Sequence, residues 1–272
     1  MSLTTNNIGF IGAGNMATAL ISGLIESGYD NKKIYSSSPE EDHLKRLSDN
    51  FSINVSNMNK EIFKSASTVV FAVKPNVINE VIKENSDLIL ELKPLIISIV
   101  AGFQILEMEK RIGSRHKIIR AMPNTPASIR MGVTALTSNN LIGTEDKEKA
   151  ETIFGSVGTT CWLNEESFDL FTSLISSGPA YIFYLVEALT KAAENLKLKE
   201  SLTKKLIVEM IKGSATLAGV SEDSPSILRK KVTSPGGVTE RALEVLKEKK
   251  VKEHLVEAIF EGASRSKSLG KK

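Results

Sequence analysis

The sequence predicts an α/β protein in which a doubly wound parallel sheet occupies the first part of the chain and an all-helical domain the second. Short apolar runs alternate with helical stretches up to about residue 164. Two of those runs, residues 68–73 and 95–100, are apolar on both faces, and such strands belong to parallel sheets covered by helices. From Glu165 onward there is no convincing strand, and apolar residues recur at helical spacing.

Ile8-Gly9-Phe10-Ile11 is a compact buried strand ending in Gly12-Ala13-Gly14, and Met16, Leu20 and Leu24 mark a helix over residues 16–26. A strand at 33–36, a helix at 40–47 and a short strand near 53–55 follow. The run 68–73 is the clearest strand, stopped by Lys74-Pro75 because proline cannot extend the ladder. Residues 77–89 read as one helix, and the strand 95–100 ends in Ala101-Gly102. Further strands are expected at 117–121, 133–137 and 160–163.

Beyond 164, Phe168, Phe171, Leu174 and Ile175, then Ile182, Leu185, Val186 and Leu189, keep helical spacing. The sequence thus divides into domains 1–164 and 165–272. The stretch 168–189 is apolar almost all round, so it needs cover on every side. A helical domain of this size has little material to supply it. A second copy of the chain is the expected cover, giving a homodimer through the helical domain.

Composition narrows the function. With 35 basic against 32 acidic side chains the net charge is only +3, which argues against a nucleic-acid partner. Cys161 is the single cysteine and no Cys/His spacing suits a metal, so neither a disulfide nor a zinc site is expected. His43, His116 and His254 stand among polar residues and are expected on the surface. No apolar stretch is long enough to span a membrane, and a soluble, cytoplasmic protein is expected.

Gly12-Ala13-Gly14-Asn15-Met16-Ala17 matches G-x-G-x-x-G/A between a strand and a helix, the Rossmann-type context for a dinucleotide. The first glycine permits the tight turn and the second lets the backbone approach a pyrophosphate. Small Ala17 allows close packing, and the helix N-terminus attracts the anion. About 20 residues on, an NAD site usually offers a carboxylate to the ribose. This chain has Ser36-Ser37-Ser38-Pro39 there, which favours NADPH, with NADH still admissible, although no arginine stands in the turn. The serines could equally cap the next helix, with Pro39 at its first position.

Ligands in this architecture lie at the carboxyl ends of the strands. That singles out Ala72-Val73-Lys74-Pro75, Ala101-Gly102 and Ala121-Met122-Pro123-Asn124-Thr125-Pro126, where Lys74 could meet a phosphate or ribose and Asn124 the nicotinamide. In the helical part, Ser176-Ser177-Gly178-Pro179 reads as a serine-capped helix start. Thr233-Ser234-Pro235-Gly236-Gly237-Val238-Thr239 is a glycine-rich turn whose N–H groups would suit a small carboxylate, or merely cap a helix.

These segments resemble the pyrroline-5-carboxylate reductases: GFIGAGNM from Gly9, FAVKP from Phe71, RAMPNTP from Arg120, SGPAY from Ser177 and VTSPGG from Val232, in order along nearly the whole chain. The resemblance implies NAD(P)H-dependent reduction of a cyclic imine, 1-pyrroline-5-carboxylate, to L-proline. It also implies a helical dimerisation domain and, often, a decamer made of five dimers. By motif, Gly12, Ala13, Gly14, Asn15 and Met16 would hold the pyrophosphate, and Ser38 and Asn59 would lie near the 2′-phosphate, beside Ser37. Ala72, Val73, Lys74 and Pro75, with Ala101 and Gly102, would line the cofactor. Ser234, Gly236, Gly237 and Val238 would hold the substrate carboxylate, and Thr239 would bond the substrate nitrogen and act as the catalytic residue. Val238 replaces an expected alanine or threonine, and Ser176 stands where the family has glycine.

A protonated imine is already electrophilic, so positioning would supply most of the acceleration and no histidine or carboxylate pair is needed. Two other classes fit a Rossmann domain followed by helices. A β-hydroxyacid dehydrogenase would need a lysine base after the domain boundary, and residues 173–187 contain none. A non-catalytic dinucleotide sensor would bind nucleotide without turnover.

Overall fold

The computed structural model describes residues 7–269, the Asn195 side chain excepted. They form two compact units, one of residues 7–177 with 262–269 and one of Gly178–Glu261.

The first unit is built from β1 (Ile8–Ile11), α1 (Asn15–Glu26), β2 (Ile34–Ser37), α2 (Glu41–Phe51), β3 (Asn54–Ser56), α3 (Asn59–Ser65) and β4 (Thr68–Phe71). Next come α4 (Ile78–Glu84), α5 (Ser86–Leu92), β5 (Leu95–Ser98), α6 (Ile105–Ile112), β6 (Ile118–Met122), β7 (Gly132–Ser138), α7 (Thr144–Gly155), β8 (Gly158–Trp162) and α8 (Phe168–Phe171). The eight strands make one sheet in the order β3-β2-β1-β4-β5-β6-β7-β8.

Period-two alternation divides the core between the sheet's two faces. Along β4, Val70 joins Phe10, Leu20, Leu24 and Phe154 in one apolar cluster. Val69 and Phe71 join Ile62, Phe63, Ile82 and Met108 in the other. Both faces are covered, so β1, β4 and β5 are apolar on both faces over most of their length, as the sequence pattern says.

The parallel expectation fails at one ladder. β6 and β7 pair antiparallel, Ala121 opposite Leu136, whereas β7 and β8 are parallel. The chain between β6 and β7 holds only a short 3-10 turn, Thr125–Ile129. Without a crossover helix two neighbouring strands must run in opposite directions. The helix α7 supplies the crossover that β7 and β8 require.

Three local expectations change. The single helix at 77–89 is two, because buried Asn85 turns its side-chain amide back to Val81 O at 2.8 Å and competes with the helical ladder. His116 is not a surface residue. It is 3% exposed, and its Nδ1 and Nε2 each lie 3.2 Å from a carbonyl, of Gly113 and Ile89. Ser176 and Ser177 do not stand outside a helix as N-caps would, because the backbone is already helical there. Thr172–Ser176 forms a π-turn in which Ser177 N–H donates to Thr172 O at 2.9 Å.

The second unit holds α9 (Gly178–Ala192), α10 (Glu200–Val220), α11 (Pro225–Lys231), α12 (Val238–Glu248) and the first part of α13 (Val251–Leu269). Among its described side chains only Thr203 is buried, while Ile182, Phe183, Tyr184, Leu206, Met210 and Phe260 are exposed. No helix of the described residues is long and apolar enough to cross a membrane.

Candidate active site

The glycine loop is stitched to both neighbouring strands. Gly12 N–H donates to Ser37 O at the end of β2, at 2.8 Å, and Ala72 N–H donates to Ile11 O at 2.9 Å. Gly12 has φ +109°, and a Cβ there would stand 2.5 Å from Ala72 O, so no other residue fits without distortion. Ala13 is buried beneath the loop.

At Gly14 the situation is reversed, since a Cβ would meet nothing within 4 Å. That glycine begins α1, whose first turn carries neither a capping side chain nor a carboxylate. A bare helix N-terminus with open space above its first residue is a cradle for an anion of phosphate size, with Asn15 and Met16 as the next N–H donors. The residues present fit a dinucleotide pyrophosphate.

At the end of β2, Ser37 Oγ donates to Asn59 Oδ1 at 2.8 Å, which leaves the Asn59 NH2 group as a donor. Ser38 is buried, and its hydroxyl accepts from Glu40 N–H at 3.1 Å in a local turn before α2. Arg46 Nη2, from α2, lies 3.4 Å from Ala13 O and 3.5 Å from Thr18 Oγ1. This arginine escapes a search confined to the β2 turn, because it stands in the second turn of the following helix.

At the β4 and β5 ends, Ala72 and Val73 are half-buried and Lys74 is exposed. Pro75, Ala101 and Gly102 share a small cleft of ≈ 40 Å³ with Asn79 and Phe103. Asn124 is buried and spends its amide on bracing, with Oδ1 accepting from Val133 N–H at 2.8 Å and Nδ2 donating to Ile175 O at 3.2 Å. The side chain thus ties the MPNTP loop to β7 and to the π-turn.

A charge pair with a buried arginine stands nearby that motif reading alone does not single out. Arg120, 1% exposed, donates to Glu165 Oε1 at 2.7 Å, and its guanidinium lies 4.7 Å from the Phe168 ring centre. Glu165 Oε1 also accepts from Ile105 N–H at 3.4 Å.

In the second unit the turn between α11 and α12 has Gly236 at φ +69°, and Gly237 N–H donates to Ser234 O at 3.0 Å. Gly236 N–H donates to Glu240 Oε2 at 2.6 Å. Gly237 begins α12 without a side-chain cap, so Val238 and Thr239 contribute first-turn N–H groups, and both side chains are exposed. The turn is therefore an anion-receptive helix start that holds one of the chain's own carboxylates.

Residues 165–269 match the family model described as pyrroline-5-carboxylate reductase dimerisation, and residues 7–102 match one described as NADP oxidoreductase, coenzyme F420-dependent. A pyrroline-5-carboxylate reductase of Pseudomonas aeruginosa is 35% identical over 98% of both chains. A solved structure of such a reductase from Coxiella burnetii superposes with a TM-score of 0.89 at 38% identity, covering 98% of this chain and 100% of that one. A Plasmodium falciparum pyrroline carboxylate reductase solved with NADP bound gives 0.89 at 28% identity, covering 99% and 100%. With sequence similarity sustained from the glycine loop through the SPGG turn, the chain belongs to the pyrroline-5-carboxylate reductase family.

Proposed function

We propose that this protein reduces 1-pyrroline-5-carboxylate to L-proline with NAD(P)H, the last step of proline biosynthesis. The observation that carries the reading is family-level identity over 98% of the chain, with the glycine cradle and the SPGG turn both intact.

Gly12, Ala13, Gly14, Asn15 and Met16 would hold the pyrophosphate, and Ser37, Ser38 and Asn59 the ribose end. The strand ends Ala72–Pro75 and Ala101–Gly102, with Asn124 as a brace, would shape the nicotinamide pocket. NADPH is the preferred cofactor, since the β2 turn offers hydroxyls and no carboxylate. When bound, the cofactor supplies the hydride that the imine carbon accepts.

The protein's own part is positional. Ser234, Gly236, Gly237 and Val238 hold the substrate carboxylate at the start of α12. Thr239 Oγ1 orients the ring nitrogen and keeps its proton in place. Fixing the reactants in line replaces a bimolecular encounter, which is worth several kcal/mol, roughly 7–11 at best.

Residues 165–272 form the dimerisation domain in this reading. The exposed apolar faces of α9 and α10 support a homodimer, with a decamer of five such dimers as a further assembly. The test is NADPH and NADH oxidation, side by side, with 1-pyrroline-5-carboxylate and with 3-hydroxy acids. Turnover of the imine alone is expected. Nucleotide binding without turnover of any imine would replace the reductase by a sensor.

A further inference from the structure

We propose that Arg46 is the cation that recognises the 2′-phosphate of NADPH in this chain and sets its preference over NADH. The inference rests on the NAD(P)H-dependent reading above and adds a residue outside the β2 turn.

Position comes first. The bond from Gly12 N–H to Ser37 O joins the glycine loop to the end of β2. Arg46 Nη2 reaches Ala13 O, one residue from that junction. In a doubly wound sheet the adenosine ribose lies between the glycine loop and the end of the second strand, and an arginine nearby accommodates a 2′-phosphate.

Charge comes second. Glu40, Glu41 and Asp42 stand just past Ser38. They follow the turn and do not line it, and their long-range field makes a cation beside a phosphate near −2 the more valuable. Glu40 is drawn to His43, 3.2 Å away, while Arg46 forms no ion pair among the described residues. Lys45 and Lys60 are exposed neighbours, yet neither bonds the glycine loop.

Freedom comes third. Contacts of 3.4 and 3.5 Å are long for guanidinium N–H groups, so they hold Arg46 loosely. It borders a groove of ≈ 450 Å³ together with Asn15, Met16 and Thr18, which gives the guanidinium room to turn. Its fork of five donors is matched to phosphate.

The test is calorimetric binding of NADP+, NAD+, 2′-AMP and 5′-AMP to the full chain and to Arg46→Ala and Arg46→Lys. Arg46 is exposed, so both variants should fold, and thermal melts check this. Arg46→Ala is expected to lose roughly ten- to a hundred-fold in affinity for NADP+ and 2′-AMP while keeping that for NAD+ and 5′-AMP. Arg46→Lys should recover part of the loss. Equal weakening of NADP+ and NAD+ would make Arg46 a brace of the loop and overturn the proposal, as would no weakening at all. Binding is read without turnover, so failure of the reductase assay and failure of this proposal are separate results.

Discussion

The Gly236 N–H donates to the Glu240 carboxylate at 2.6 Å, so a carboxylate already occupies a donor in the turn proposed to receive the substrate's carboxylate. The bond joins residues four apart across the start of α12 and is exposed. Substrate binding must displace Glu240 or share the turn with its charge.

Glu240→Ala is therefore expected to lower KM for 1-pyrroline-5-carboxylate several-fold with little change in kcat. Losing one exposed hydrogen bond should cost at most about 1 kcal/mol of stability. Steady-state kinetics paired with thermal melts read both effects, and a raised KM would show that Glu240 helps to shape the turn for substrate.

Thr239→Ala removes the hydroxyl assigned to the substrate nitrogen and spares the glycine loop. Turnover should fall roughly ten- to a hundred-fold, the cost of one transition-state hydrogen bond to a charged group, with NADPH affinity intact. Unchanged turnover would sink the role.

Arg120 is buried and its partner Glu165 is 28% exposed, so removing Glu165 strands a buried guanidinium. Glu165→Ala is expected to destabilise the first unit by about 3–5 kcal/mol, and Arg120→Ala by less because the carboxylate it leaves can reach water, both read by urea unfolding. A double substitution to apolar residues of similar volume should recover most of that loss. If the double variant is no better than the singles, the pair has a role beyond mutual neutralisation.

Phe183 and Tyr184 are 60% and 75% exposed on α9, far beyond what large aromatic residues tolerate in water as a cluster. Phe183→Glu with Tyr184→Glu should shift the protein from dimer to monomer in light-scattering chromatography. A dimer that survives both changes would place its interface elsewhere.

Burial pushes the Cys161 thiol above its ordinary pKa. Less thiolate is then present at pH 8, and alkylation by iodoacetamide should run slower than for a small thiol, recovering as pH rises or on addition of urea. A rate matching the small thiol at pH 8 would contradict the desolvation.

The glycine loop and the strands β1, β4 and β5 are legible in sequence because a conformational demand and a two-sided apolar run each leave a mark on consecutive residues. Strand direction leaves none. Val133 to Thr137 has the same composition whichever way β7 runs, and only the short connection from β6 decides it. His116 is hidden for a related reason. Its neighbours Arg115 and Lys117 are polar, while its ring meets the Gly113 carbonyl locally and the Ile89 carbonyl of α5 only through tertiary folding. Arg46 and Glu240 escape motif reading because each works from the helix after its turn. The π-turn at Thr172–Ser176 is invisible to a 3.6-residue period, which reads straight through it.

The double stitching of the glycine loop has a thermodynamic consequence. Gly12 bonded to Ser37, and Ile11 bonded to Ala72, fix the loop as part of the sheet, so its ordering is completed on folding and not on encounter with the nucleotide. An incoming dinucleotide then gives up little more than its own freedom. With the loop fixed, discrimination between cofactors at this site should come from the groups that face the ribose. Cofactor exchange in this scaffold should therefore be achievable from α2 and the β2 turn alone.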